Sequence, residues 1–120
     1  DASTDATLRC AVDDENLYIL LEVSNIRLSS SDYMTIAVGS SSSSSASLKV
    51  KVGPVIFSSS DKSVTAVSSY GGTLTDDSDI DTGWLAEIAI PLASLNTSSG
   101  NVSVSASFDE NPKDSVLCSL

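Results

Sequence analysis

Histidine is absent from the 120 residues. That removes the commonest general base at neutral pH, the usual zinc and copper ligand, and any serine-histidine-aspartate triad. The two cysteines, Cys10 and Cys118, lie far apart in sequence, so no closely spaced thiol pair is present to hold zinc. No Gly-x-Ser-x-Gly elbow and no phosphate-binding glycine loop occurs. Cations are scarce as well: six lysines and arginines stand against sixteen acids, for a net charge of −10 and a pI near 4.1. Such a surface repels nucleic acid and anionic lipid and favours neutral or cationic partners. No apolar run approaches the roughly 20 residues of a membrane helix. The opening residues Asp1-Ala2-Ser3-Thr4-Asp5 lack the basic and apolar regions of a signal peptide, so a soluble, already processed chain is expected.

What is abundant is serine and alternation. Period-two patterning runs through the chain and no window keeps an uninterrupted helical spacing, so helix is expected to be nearly absent. Strands are expected at Ala6 to Val12, Leu17 to Val23, Tyr33 to Val38, Ser47 to Val52, Val55 to Phe57, Ser63 to Tyr70, Trp84 to Ile90, Val102 to Phe108 and Ser115 to Leu120. Eight or nine short strands in a chain of one-domain length imply an all-β, antiparallel two-sheet β-sandwich spanning residues 1–120 as a single domain. Leu17, Ile19, Leu21 and Val23 share one face of the second strand. Tyr18, Leu20 and Glu22 share the other, so a central strand with both faces largely apolar is expected. In the fourth strand Leu48, Val50 and Val52 alternate with Lys49 and Lys51, which places the lysines in water. Asp13-Asp14-Glu15-Asn16 reads as a tight hairpin, and Gly39 with the following serines reads as a solvated loop. Pro91 should end its strand, with Leu92 to Leu95 making at most one helical turn.

Cys10 shares a face with Leu8 and Val12, and Cys118 shares one with Val116 and Leu120, so both should point inward. Two readings follow: buried free thiols, or a disulfide closing roughly 107 residues and contributing on the order of 4–5 kcal/mol. The densest oxygen cluster is Asp76-Asp77-Ser78-Asp79-Ile80-Asp81-Thr82-Gly83, where Asp77, Asp79 and Asp81 are candidate calcium ligands. It is not an EF-hand, since Thr82 and Ile88 replace the required glycine and glutamate. Its alternative is a solvated acidic loop that discourages edge aggregation. Asp13, Asp14 and Glu15 are a weaker acidic cluster. Aromatics make up only 5% of the chain. A sugar site stacks pyranose rings on exposed tryptophan or tyrosine, so the candidates are Trp84, Tyr33 and Tyr70, with Tyr18 behind them. Trp84 also shares a face with Ala86, Ile88 and Ile90, which is the pattern of a core residue.

The segment Val12-Asp13-Asp14-Glu15-Asn16-Leu17-Tyr18-Ile19-Leu20-Leu21-Glu22-Val23 is followed by Asp32-Tyr33-Met34-Thr35-Ile36 and then Gly83-Trp84-Leu85-Ala86-Glu87-Ile88-Ala89-Ile90-Pro91. In that order these motifs resemble the carbohydrate-binding module family 9 group and its DOMON-like relatives. The resemblance implies a β-sandwich that accompanies extracellular polysaccharide-degrading enzymes, binds glycans at an aromatic-lined site and often holds structural calcium, with Trp84 and Glu87 in the matching strand. Haem-binding relatives use methionine and histidine; Met34 is the only methionine here and histidine is missing, so haem is not expected. The resulting expectation is a secreted, non-catalytic carbohydrate-binding or accessory module at the cell surface or beyond. Its alternative is a structural or adhesive subunit of a filament or scaffold, self-associating through strand edges by β-strand addition with the N-terminal residues as donor. An enzyme stands third, because paired glycosidase carboxylates meet in space rather than in sequence.

Overall fold

The computed structural model describes residues 5–24, 29–40, 48–71, 83–95 and 100–120. Nine strands follow one another: β1 (Asp5–Val12), β2 (Asn16–Ser24), β3 (Met34–Ser40), β4 (Leu48–Val52), β5 (Phe57–Ser59), β6 (Thr65–Gly71), β7 (Gly83–Pro91), β8 (Asn101–Phe108) and β9 (Asn111–Ser119). They form two antiparallel sheets, a four-stranded one in the order β1-β2-β7-β6 and a five-stranded one in the order β5-β4-β3-β8-β9. The expected sandwich and its strand count are both present.

Alternation decides which face each sheet buries. Leu17, Ile19, Leu21 and Val23 of β2 and Ala86, Ile88 and Ile90 of β7 meet Met34, Ile36 and Val38 of β3, Val50 and Val52 of β4, and Val102 and Val104 of β8 in one core. Burying each large aliphatic side chain stabilises the fold by about 1.5–3 kcal/mol. Leu48, Val50 and Val52 are buried while Lys49 and Lys51 are exposed, as their spacing requires.

The sheets are stitched at one seam. Cys10 on edge strand β1 is bonded to Cys118 on edge strand β9, with Cα atoms 6.3 Å apart. Two residues back on β1, the Leu8 amide donates to the Asp114 carboxylate of β9 at 2.8 Å. Since both pairings ascend together, β1 and β9 run parallel along the seam. The inward-facing cysteines are therefore a disulfide, and the free-thiol alternative falls.

Two boundaries depart from the pattern reading for an evident local reason. β5 begins at Phe57 rather than Val55 because the Gly53 amide bonds the Ile56 carbonyl at 2.8 Å, committing the intervening residues to a turn. A Cβ on Gly53 would collide with the Asp32 carbonyl, so no other residue fits this close approach. β9 starts at Asn111, well before Ser115, because Asp109 (φ 48°) and Glu110 (φ 66°) form a two-residue hairpin loop of the type that suits strand twist. Pro112 then sits within β9, opposite Ser107 beside a register shift, where an edge strand tolerates a missing amide hydrogen. β6 runs from Thr65 to Gly71, displaced from the expected Ser63 to Tyr70. Strand β7 ends at Pro91 and a single 3-10 turn, Leu92–Ser94, follows.

Candidate functional site

β2 is central in its sheet, between β1 and β7, but only one of its faces is covered. Tyr18 is 40% exposed, Leu20 half-buried and Glu22 exposed. β2 is central, as expected from its two apolar faces, yet the face that carries Tyr18 and Leu20 is open to solvent. Register places Tyr18 beside Ala11 and Ala89, Leu20 between Arg9 and Glu87, and Glu22 between Thr7 and Leu85. Val67, 74% exposed, continues the Glu87 row on β6. The outward face of this sheet is therefore a mixed apolar, charged and hydroxyl surface about 20 Å long in the strand direction. The outward positions of the five-stranded sheet include Lys49, Lys51, Thr35, Ser103, Ser105 and Ser115, together with apolar Ala37 and Leu117 and, beside Lys51, Tyr33.

Two depressions shape that face. One, of about 320 Å³, is lined by Arg9, Ala11, Tyr18, Leu20 and Glu87 among others. Its aromatic is held in place: the Tyr18 hydroxyl donates to Asp13 Oδ2 at 3.0 Å and accepts from Asn16 Nδ2 at 3.1 Å. Asp13 Oδ1 meanwhile accepts the amides of Glu15 and Asn16, both at 2.8 Å. These bonds, the Glu15 amide foremost, then the Asn16 amide and the Tyr18 hydroxyl, hold the Asp13 carboxyl below its ordinary value. With both oxygens engaged, Asp13 fixes the hairpin and the tyrosine together.

The second depression, of about 380 Å³, lies at the end of the sheet where β2 finishes and β7 begins. Its floor is bare because Gly71 and Gly83 are cross-strand partners. Gly83 has φ +114°, and a Cβ there would run into the Val23 carbonyl oxygen. Asp5, Glu22, Thr7, Ser24 and Ser69 supply oxygen atoms around the rim, and Leu85 completes it.

The sequence candidates separate accordingly. Tyr70, 47% exposed, borders the second depression but stands opposite buried Trp84, so its ring lies on the inward side of the sheet and not on the outward face. Trp84 lines it too, but is only 5% exposed; its ring packs in the core and offers no face for stacking, so its core pattern prevails over the sugar-contact expectation. Tyr33 immediately precedes β3 of the other sheet, and the Lys51 ammonium lies 5.1 Å from its ring centroid. The structure does not bring Tyr33 to either depression. Tyr18, the lesser candidate by sequence, has the better-built surroundings, and Arg9 and Glu87 flanking Leu20 were not singled out as its companions; their two-residue offsets from Ala11 and Ala89 were the available signal. Asp77, Asp79 and Asp81 lie outside the described residues, and among the described residues no three acids or cysteines converge as a metal site. No protein-family model, no curated protein and no solved structure matches the chain.

Proposed function

We propose that this domain is a non-catalytic, extracellular carbohydrate-binding module, and that a glycan lies along the outward face of the four-stranded sheet. The observation that supports this most directly is the pinned Tyr18 ring at a depression between Arg9 and Glu87. A pyranose presents an apolar face to an aromatic ring and hydroxyls at its rim, which suit a guanidinium donor and a carboxylate acceptor. The platform is long enough for an oligosaccharide, and the glycine-floored depression, rimmed by hydroxyls and carboxylates, gives a second foothold along the same strands. A disulfide in a small domain fits an oxidising compartment such as the cell exterior.

Affinity electrophoresis through gels containing plant and microbial polysaccharides tests this reading. Retention on at least one polymer is expected, weakened about tenfold by Tyr18→Ala and unaffected by Tyr33→Ala. No retention on any polymer, or retention indifferent to Tyr18→Ala and Glu87→Gln alike, refutes it. The structural-subunit reading has one observation in its favour, the outer edge of β6, which no described residue covers.

A further inference from the structure

A sheet edge exposes unpaired backbone groups, and folded proteins guard such edges by covering, shortening, kinking or charging them. Three of the four edges here are guarded. β1 and β9 face each other, joined by the disulfide and by the bond from the Leu8 amide to Asp114, and β9 also carries Pro112 and a register shift. β5 is only three residues long. The fourth edge, β6, has none of these devices among the described residues. Its seven residues, Thr65-Ala66-Val67-Ser68-Ser69-Tyr70-Gly71, contain no charge and no proline.

The direction of its backbone groups follows from the ladder. Because the Leu8 amide points away from β2, Leu8 and Leu21 are a pair without mutual hydrogen bonds. Alternation then makes Leu21 bond Ala86, and turns both backbone groups of Ser68, which stands opposite Ala86, toward the outer edge. Ala66 and Tyr70 share that orientation. Among the described residues no group bonds to these outward amides and carbonyls.

We infer that β6 is a self-association edge, pairing antiparallel with β6 of a second copy about a two-fold axis through Ser68. In that register Ser68 faces its own counterpart, Ala66 faces Tyr70 and Val67 faces Ser69. Every outward amide and carbonyl of Ala66, Ser68 and Tyr70 then finds a mate, and the aromatic ring lies over the smallest side chain. A second copy is the occupant this edge suits: the strand is self-complementary in length and bulk, and it is uncharged in a chain of net charge −10. Like-charged copies can thus meet here with no charged side chain on the paired strands themselves. Two four-stranded sheets would merge into one, isologous as two-fold contacts are. A strand pair of this size belongs to the transient class of interfaces. The residual repulsion between acidic copies is screened by salt, so association strengthens with ionic strength. The inference does not depend on glycan binding.

Sedimentation equilibrium of the oxidised protein at low and high salt, up to about 1 mM chain, tests it together with hydrogen exchange at matched concentrations. A monomer-dimer equilibrium is expected, with the Ala66, Ser68 and Tyr70 amides becoming protected as dimer forms. Val67→Glu with Ser69→Glu, both on the exposed face, sets like charges opposite each other and should weaken the dimer at least about tenfold. Ser68→Pro, which deletes an outward amide hydrogen that the ladder does not use, should do the same; near-ultraviolet circular dichroism checks that each variant is folded. A strict monomer throughout overturns the inference. So does a dimer that survives both variants, or one whose β6 amides stay unprotected. Loss of the dimer on deleting residues 1–4 would reassign the edge to a donor strand from the N-terminus and likewise overturn it.

Discussion

Replacing Cys10 and Cys118 together by alanine removes the covalent tie between the two sheets. The cysteines are 108 residues apart. In the chain-entropy treatment, releasing a loop of that length from the unfolded ensemble costs the fold about 5 kcal/mol at 25 °C. Losing two small sulfur side chains, one of them only 2% exposed at Cys118, adds about 1 kcal/mol of packing. A domain of this size has about 5–15 kcal/mol in total, so the variant retains at best a fraction of its stability. At about 4 °C per kcal/mol it melts about 20 °C lower. The assay is urea unfolding of parent and variant, followed by Trp84 fluorescence and far-ultraviolet circular dichroism and extrapolated linearly to water. Trp84 is a suitable reporter because it is buried when folded. The m value should rise in the variant, since an unfolded chain freed of its cross-link exposes more surface. A loss smaller than about 1 kcal/mol, or thiols that react in the native protein without prior reduction, would refute the reasoning.

Two further outcomes follow from the local geometry. Gly83→Ala forces a side chain into a left-handed conformation and against the Val23 carbonyl, so it should destabilise by about 1–3 kcal/mol or prevent folding, whereas Gly100→Ala, where a Cβ meets nothing within 4 Å, should cost only its positive φ; thermal melts of both compare them. Acid should loosen the hairpin: Asp13 is held below 3.8 by the Glu15 and Asn16 amides and the Tyr18 hydroxyl, and Asp61 by the Ser63 hydroxyl, the Ser63 amide and the Ser94 hydroxyl. A depressed carboxyl contributes stability that is complete above its ordinary value and lost as pH falls through its own lower one. Urea midpoints between pH 5 and pH 2 should therefore fall less steeply in Asp13→Asn than in the parent, and identical slopes would contradict the assignment.

The fold was legible because its information is local and repetitive. Leu17 to Val23 and Trp84 to Ile90 alternate without a break, and two such patterns with polar punctuation leave little but a sandwich. The inward aim of Cys10 and Cys118 could be read from Leu8, Val12 and Val116, but their bonding could not, because it depends on which edges the sheets bring together. β9 was cut short because Asp109-Glu110 lacks the glycine that usually marks a two-residue hairpin loop, and Pro112 argues against a strand until the edge position is known. The candidate site was the least legible part. Arg9, Tyr18, Leu20 and Glu87 come from three strands, and only register assembles them. The apolar residues on both faces of β2 fit its central place in the sheet but do not say which face is covered. Whether the second face is covered is a property of the whole sheet, invisible to one strand.

The seam between the first and last strands also bears on how the domain carries load. β1 and β9 run parallel, so tension applied through the residues flanking the domain would shear them past each other rather than peel them apart. The Cys10 to Cys118 bond spans that shear plane. Force entering along β1 would pass through the sulfur atoms and leave along β9, bypassing the 108-residue interval between the cysteines. About 380 Å of potential extension is thereby withheld, and the sheets between the cysteines would stay folded under a pull that stretches the flanking chain taut.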